Sequence, residues 1–433
     1  MDTLSALRAG HLRGITRLDL SADLSAFPEE IFTLADSLEI LNLSDNRLTS
    51  LPDDLHRLKR LKVLLCLDNQ FDHLPEVLAT CPHLEMISFK ANQIQTVAGT
   101  ALPKKLRWLV LTDNLVRHLP PEIGECTHLQ KLMLAGNQLQ TLPAEMVNCT
   151  NLELVRLAAN RFETFPEWLF ELPRLAWLGL GGNPWTMNHA SGEAAIDSIS
   201  WSDLQVTDVL GQGASGVIYQ AAWRKDHPGN SHQVAVKIFK GEMTSDGFPD
   251  SEMAMSVAAG KHPNLIEVLA KVSEHPEQKM GLVMALVSPA YSNLGGPPSL
   301  DSCTRDCYPA GRKFALPEIL NISRGMASAA THLHGRGLMH GDFYAHNCLR
   351  DPQGRCLLGD FGAGFPYPRE VDLERIEVRA FGCLLEELLE RGRFGPADGA
   401  AVEALWELQR KCVFELVPRR PLFSEISSTL DML

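Results

Sequence analysis

Apolar residues in the first part of the chain follow a fixed template rather than a simple helical or strand period. The pattern LxxLxLxxNxL is met at Leu38, Leu41, Leu43, Asn46 and Leu48, and again at Leu129, Leu132, Leu134, Asn137 and Leu139. Its Asn recurs at Asn46, Asn69, Asn92, Asn114, Asn137, Asn160 and Asn183, at intervals of 23, 23, 22, 23, 23 and 23 residues. Five of the seven units then run into a Leu-Pro or Phe-Pro pair, as at Leu51-Pro52 and Phe165-Pro166. One such unit cannot bury its own apolar side, so the pattern predicts short strands stacked in parallel, each Asn amide bonding the turning backbone of its neighbour. An irregular first unit, LDLSADLSAFP, puts Asp23 where the Asn ladder would continue and reads as a cap. Cys81, Cys126 and Cys149 each fall twelve residues after a ladder Asn, which makes them packing residues inside the coil.

This is the period of leucine-rich repeats. In such a solenoid the strand positions that point away from the core line a concave face, where function resides. Here one row of those positions reads Ile40, Val63, Met86, Trp108, Lys131, Leu154, Trp177, and the next holds Leu65, Val110 and Met133. A face this apolar is either a binding surface or one covered within the protein. Trp108, Val110, Met133, Leu154 and Trp177 are therefore the candidate contacts for a protein substrate or adaptor.

From Trp201 onward the pattern changes to strands and helices punctuated by single motifs. LGQGASGVIY carries Gly211, Gly213 and Gly216 in the spacing of a hairpin that covers phosphates, with Ile218 following; alone, it is equally a plain β-turn. VAVKIF places Ala235 and Lys237 on the next strand, and Glu252, ten residues before His262, stands on an apolar helix that leads into HPNLIEVL. LVMALV at 282–287, HGDFYAHN at 340–347 and DFG at 360–362 follow, with Asp360 eighteen residues after Asp342. This ordered set resembles the protein kinase family over 201–433.

The resemblance implies a bilobal α+β domain behind the α/β leucine-rich-repeat solenoid, and so a multidomain chain: repeats at 1–186, the small, polar stretch MNHASGEAAIDSIS at 187–200 as linker, and a kinase-like domain at 201–433. It implies ATP and Mg²⁺ as cofactors. Gly211, Gly213, Gly216, Ile218, Ala235 and Leu349 would enclose the nucleotide, with Met284 as gatekeeper and the backbone of Ala285 and Val287 at the adenine edge. Lys237 would hold the α- and β-phosphates and Glu252 would orient it. Asn347 and Asp360 supply the hard oxygen ligands that Mg²⁺ prefers, and Asp342 is placed to accept the proton of an incoming hydroxyl.

Three departures from that family stand out. Gly341 occupies the place of an Arg that, in many protein kinases, is drawn into position by a phosphorylated activation loop, and antibiotic and choline kinases commonly carry Gly or Asn there. Tyr344 replaces a Lys that touches the γ-phosphate in Ser/Thr kinases. EVRAFGCLLEELL resembles the buried helix normally carrying D-x-W-x-x-G, with Glu377 at the Asp position, but only fourteen residues, Ala363 to Ile376, separate it from Gly362, and no A-P-E is present. Arg420, in VPRRPLFSEI, matches the Arg that pairs with the missing Glu, leaving Glu370, Glu374 or solvent as its partner. The reading is a Ser/Thr protein kinase that recruits its substrate through the repeats; a small-molecule kinase of the aminoglycoside/choline-kinase type and a non-catalytic pseudokinase scaffold are the alternatives.

Composition narrows the setting. The 433 residues are 45% hydrophobic and 21% charged, an ordinary core-forming balance. A formal charge of −13 without a long basic run argues against nucleic-acid and anionic-membrane partners. The N-terminus lacks an apolar signal core, and no uncharged apolar stretch of about 18 residues occurs, which points to the cytoplasm. Ten scattered Cys read as reduced and structural, since the one close pair, Cys303 and Cys307, is too small for a zinc site.

Overall fold

The computed structural model describes residues 2–189, 196–213, 215–224, 231–241, 243–244 and 246–433. It divides between Leu175 and Ala176 into two compact units, upstream of the boundary expected at residue 186.

In the first unit, strands β1 (Arg17–Asp19), β2 (Ile40–Asn42), β3 (Val63–Leu65), β4 (Met86–Ser88), β5 (Trp108–Val110), β6 (Lys131–Met133) and β7 (Leu154–Arg156) pair in parallel in chain order. The register aligns the middle residues Leu41, Leu64, Ile87, Leu109, Leu132 and Val155, all fully buried, so each repeat completes its core only against the next. Several return segments are 3₁₀ turns entered through the Pro of the Leu-Pro or Phe-Pro pair, as at Glu76–Thr80 after Pro75 and Pro121–Glu125 after Pro120. Proline suits that entry because its φ is preset and its missing N–H costs no hydrogen bond there. The Asn ladder is built as expected: Asn137 Nδ2 donates to the carbonyls of Leu111 (2.8 Å) and Leu134 (3.0 Å), and Val116 N–H donates to its Oδ1 (3.0 Å). Asp23 does not join the ladder. It takes a left-handed φ of 54° and its exposed carboxylate pairs with Arg47, while the Asn46 amide reaches the backbone on either side of it, at Ala22 and Leu24. All ten cysteines are free thiols, and only Cys307 is exposed.

The second unit opens with β8 (Trp177–Gly179), the strand that precedes the last ladder Asn, Asn183. Its main sheet orders β10 (Leu204–Gln212), β11 (Gly216–Arg224), β12 (Ser231–Phe239), β14 (Gly281–Ala285), β13 (Val268–Ser273) and β9 (Ser198–Ser200), around a core that includes Val234, Val236, Ala270 and Val283. β9 falls in the stretch read as a linker, yet it pairs in parallel with β13; residues 190–195 of that stretch lie outside the described residues. Helix Pro249–Ala259 accompanies this sheet, and the rest of the unit is built mainly on the helices Leu316–Gly335, Glu374–Glu390, Gly399–Cys412 and Phe423–Asp431, with short strand pairs between them. Helix Glu374–Glu390 buries Ile376, Phe381, Leu384, Leu385 and Leu388, which seats Glu377 in the interior. Arg420 does not face solvent: it is fully buried and donates to the carbonyls of Phe414 (2.9 Å) and Arg375 (3.0 Å), while the Glu374 carboxylate accepts the Phe423 N–H at 2.5 Å. No helix among the described residues is long and apolar enough to cross a membrane.

Candidate active site

The antiparallel pair β10–β11 forms the glycine hairpin, with Gly211 opposite Ile218 and the Gly213 N–H donating to the Gly216 carbonyl at 2.9 Å. On β12, Lys237 lies opposite Ile218 on one side and Leu282 on the other, and Ala235 lies opposite Met284. The registers thus put the expected nucleotide residues on neighbouring rungs of one sheet. Lys237 Nζ pairs with the Glu252 carboxylate on helix Pro249–Ala259, both side chains nearly buried. Burial pushes the Glu252 carboxyl above its usual range and the charge of Asp360 adds to this, against the opposing pull of Lys237. A buried carboxylate in that position holds the ammonium in one place, which is what a phosphate-binding cation requires. The Ala285 N–H is already donated to the Glu267 carbonyl at 2.9 Å, so that amide is not the one offered to an adenine. A cavity of about 380 Å³ includes His262, Ile266, Leu286 and Tyr291 in its lining; it shares only Ala285 and Val287 with the expected nucleotide set and is not the reaction centre.

The catalytic-loop sequence folds into a bonded cluster. Asn347 Nδ2 donates to Asp342 Oδ2 (2.7 Å) and to the Asp342 carbonyl (2.9 Å). The Gly359 N–H donates to the Asn347 carbonyl at 3.0 Å, and His340 Nε2 lies 3.0 Å from the Gly359 carbonyl, so this loop and the Asp360-Phe361-Gly362 turn are bound to each other. Asp360 is exposed, takes a left-handed φ of 58° and accepts the Gly362 N–H at 3.2 Å. Leu349 lies beyond the loop, paired with Leu357 and Asn293. With Asn347 Nδ2 committed to Asp342, its Oδ1 remains as an oxygen ligand, and Asp360 offers an exposed carboxylate directly after Gly359, whose N–H bonds the Asn347 carbonyl. This hard, two-residue set fits Mg²⁺, which is held by few protein ligands together with substrate phosphates.

Two residues of this cluster carry no assigned role from their sequence. His346 Nδ1 lies 2.7 Å from Asp306, whose carboxylate also accepts the His346 N–H (2.9 Å), and His346 Nε2 faces Asp342 at 3.9 Å. Burial works against a charged imidazole, but the hydrogen bond to the Asp306 carboxylate and the charges of Asp306, Asp342 and Asp360 prevail and raise its pKa. The imidazole of His346 thus faces Asp342 from the side opposite Asp306. The one usable signal was its place directly before Asn347; nothing local marked Asp306, forty residues upstream in the segment 293–313.

The chain matches the family model described as protein tyrosine and serine/threonine kinase over residues 204–366, and leucine-rich-repeat models over 37–58, 104–162 and 127–184. This chain joins leucine-rich repeats to a protein kinase domain. Among relatives, the kinase is similar to cyclin-dependent kinase 11.1 of Caenorhabditis elegans, 26% identical over 159 residues, which covers 36% of this chain and 20% of that protein. It is also similar to fibroblast growth factor receptor 1 of Pleurodeles waltl, 22% identical over 275 residues, 51% of this chain and 33% of the receptor. The chain therefore spans a third or less of each of these curated relatives. One is named as a cyclin-dependent kinase and the other as a growth factor receptor, so they do not agree on a partner or acceptor.

The concave-face expectation needs correction. Trp177 is 1% exposed, Leu154 4% and Val110 8%, so none of the three is open to a partner. Trp177 lies inside the kinase unit, its ring stacked on Tyr344 at 4.2 Å. The strand pattern carries no information about how far that face is exposed. Trp108 and Met133 remain half-exposed, the Trp108 ring lying 4.0 Å from Lys131 Nζ.

Proposed function

We propose that this protein is an ATP- and Mg²⁺-dependent Ser/Thr protein kinase whose leucine-rich repeats recruit the protein it phosphorylates. The buried Lys237–Glu252 pair is the observation that carries the reading, because a kinase-like scaffold without phosphate chemistry has no need of an ammonium held at the nucleotide rung. Asp342 would act as base for the acceptor hydroxyl, and Asn347 and Asp360 would hold Mg²⁺, whose charge, when bound, would offset that of the triphosphate. The test is incubation with Mg²⁺ and labelled ATP against Ser, Thr and Tyr peptides, whole-cell protein, choline and an aminoglycoside. Label on Ser or Thr of protein is expected. Label on the small alcohols would move the assignment to a small-molecule kinase, and none anywhere would leave a scaffold.

Recruitment rests on the half-exposed apolar positions Ile40, Leu65, Leu67, Met86, Trp108 and Met133, a surface suited to an apolar protein partner. Trp108→Ala should weaken capture of the phosphorylated protein by about 2 kcal/mol if that ring is a hot spot, while peptide phosphorylation stays at its original rate. Equal labelling of the protein substrate by both forms would remove the repeats from substrate choice.

Activity should not depend on prior phosphorylation. Tyr367 carries the only hydroxyl between Gly362 and Glu377; it is 5% exposed and its oxygen lies 2.8 Å from His334 Nδ1. A modifying kinase cannot reach it in the folded chain. Phosphatase treatment is expected to leave the rate unchanged, and a tenfold loss, about 1.4 kcal/mol of barrier, would overturn this.

A further inference from the structure

The two unusual residues of the catalytic loop, Gly341 and Tyr344, touch the same strand. Gly341 has a φ of +75°, and a Cβ placed on it would come within 2.5 Å of the Leu178 carbonyl and 2.6 Å of the Ala363 carbonyl. No side chain fits between β8 and the loop, so the absence of the family's Arg is a packing requirement and carries no signal for a small-molecule acceptor. Tyr344 lies flat under Trp177, the planes 5° apart, and the Trp177 indole N–H donates to the Phe343 carbonyl at 3.2 Å. The Arg305 guanidinium is 5.6 Å from the centre of the Trp177 ring. Asp342 thus sits between Gly341, which lies close against the Leu178 carbonyl of β8, and Phe343, whose carbonyl accepts from Trp177 of β8.

The contact continues past the strand. Gly181 lies so near the Gly364 carbonyl that a Cβ there would be 3.0 Å from it, with Ser251 of the Glu252 helix next nearest. Residues Pro184–Met187 pack on Phe365–Pro366, and β8 itself packs on helix Glu374–Glu390. A segment of only fourteen residues between Gly362 and Glu377 leaves this ground uncovered by an activation loop; residues 177–187 cover it.

We propose that Trp177 is a positioning residue for phosphate transfer: β8 braces the catalytic loop through Phe343, Tyr344 and Gly341, taking over the work that a phosphorylated activation loop performs through Arg elsewhere. The proposal rests on the reading of Asp342 as the base. A carboxylate whose two flanking peptides are fixed stays aligned with the acceptor without any modification, and alignment is where much of this chemistry's rate arises.

The experiment compares Trp177→Ala and Trp177→Phe with the unaltered full chain, measuring kcat, KM for ATP, and amide hydrogen exchange at Asp342, Phe343 and Tyr344. In Trp177→Ala, kcat should fall at least about tenfold, roughly 1.4 kcal/mol of barrier, with KM for ATP changed less than about twofold on the same barrier scale; exchange at the three amides should rise while that on β12 does not. Trp177→Phe keeps a stacking ring and should recover most of the rate. Should Trp177→Ala fail to fold, Trp177→Leu carries the same comparison, because it keeps apolar volume without ring or N–H. Equal kcat in a folded variant overturns the proposal, as does a loss of rate matched by an equal loss of ATP binding. An unaltered chain that transfers phosphate to nothing defeats the kinase reading instead; the brace then stands or falls on whether exchange at Asp342–Tyr344 differs between the forms.

Discussion

Asp342→Asn should lower phosphate transfer by about 10²–10⁴-fold, the range over which a general base contributes, and leave ATP binding nearly unchanged. The substitution is isosteric, and its amide oxygen can still accept from Asn347 Nδ2, now 2.7 Å from the carboxylate. Lys237, Glu252 and Asp360 are untouched, so the groups assigned to the nucleotide and metal remain. What disappears is the basicity of a carboxylate that is partly open to an acceptor, 19% exposed, and that faces His346. Single-turnover transfer measured beside nucleotide titration separates the two effects. A variant that transfers phosphate at the original rate would remove Asp342 from the chemistry; one that loses ATP binding in proportion would make it a structural residue.

Glu377→Ala should destabilise the kinase unit by about 3–5 kcal/mol, the usual consequence of removing one member of a buried charged network. The Glu377 side chain is fully buried; its carboxylate accepts the backbone N–H groups of Gly341 (2.6 Å) and His340 (3.3 Å), and His334 Nε2 lies 2.8 Å away. Burial alone would push its pKa up, but the His334 hydrogen bond, the charges of His334 and His340 and the Gly341 N–H hold it below the ordinary value. The sign of the pH dependence follows. A carboxyl with a lowered folded pKa contributes stability that is present above its unfolded pKa, about 4.3, and lost as pH falls through the folded value. Urea midpoints measured from neutral pH downward should therefore converge for Glu377→Gln and the unaltered chain in acid and diverge toward neutrality. Coincident midpoints at neutral pH would remove Glu377 from the network that holds the catalytic loop.

Much of this network could be seen in the sequence because its members are close in the chain or tied to motifs with fixed spacing. Asp342, Asn347 and Asp360 lie within nineteen positions, and Glu377 was matched to its role as the acid of a buried helix. Arg420 shows where that logic weakens: its charge suggested a carboxylate partner, whereas the structure supplies carbonyls, which any residue type can offer. Asp306 was invisible for a related reason. Its partner His346 lies forty residues away, and a loop of no recognisable pattern brings them together.

By itself, the sequence determined the two architectures and the chemical inventory. A strict Leu and Asn period compels repeats to stack because no single unit has a core, and motif residues at fixed spacings bring a lysine, two carboxylates and an amide to one sheet and its adjoining loops. Tertiary structure alone decided where the first architecture ends and what its last strand does. Trp177 obeys the repeat pattern as faithfully as Trp108, yet it is buried against Tyr344 while Trp108 stays half-exposed. The physical reason is that periodicity reports which side of a strand faces its own core; what covers the opposite side is set by contacts between residues more than 160 positions apart, such as Trp177 and Phe343, and no local pattern encodes them.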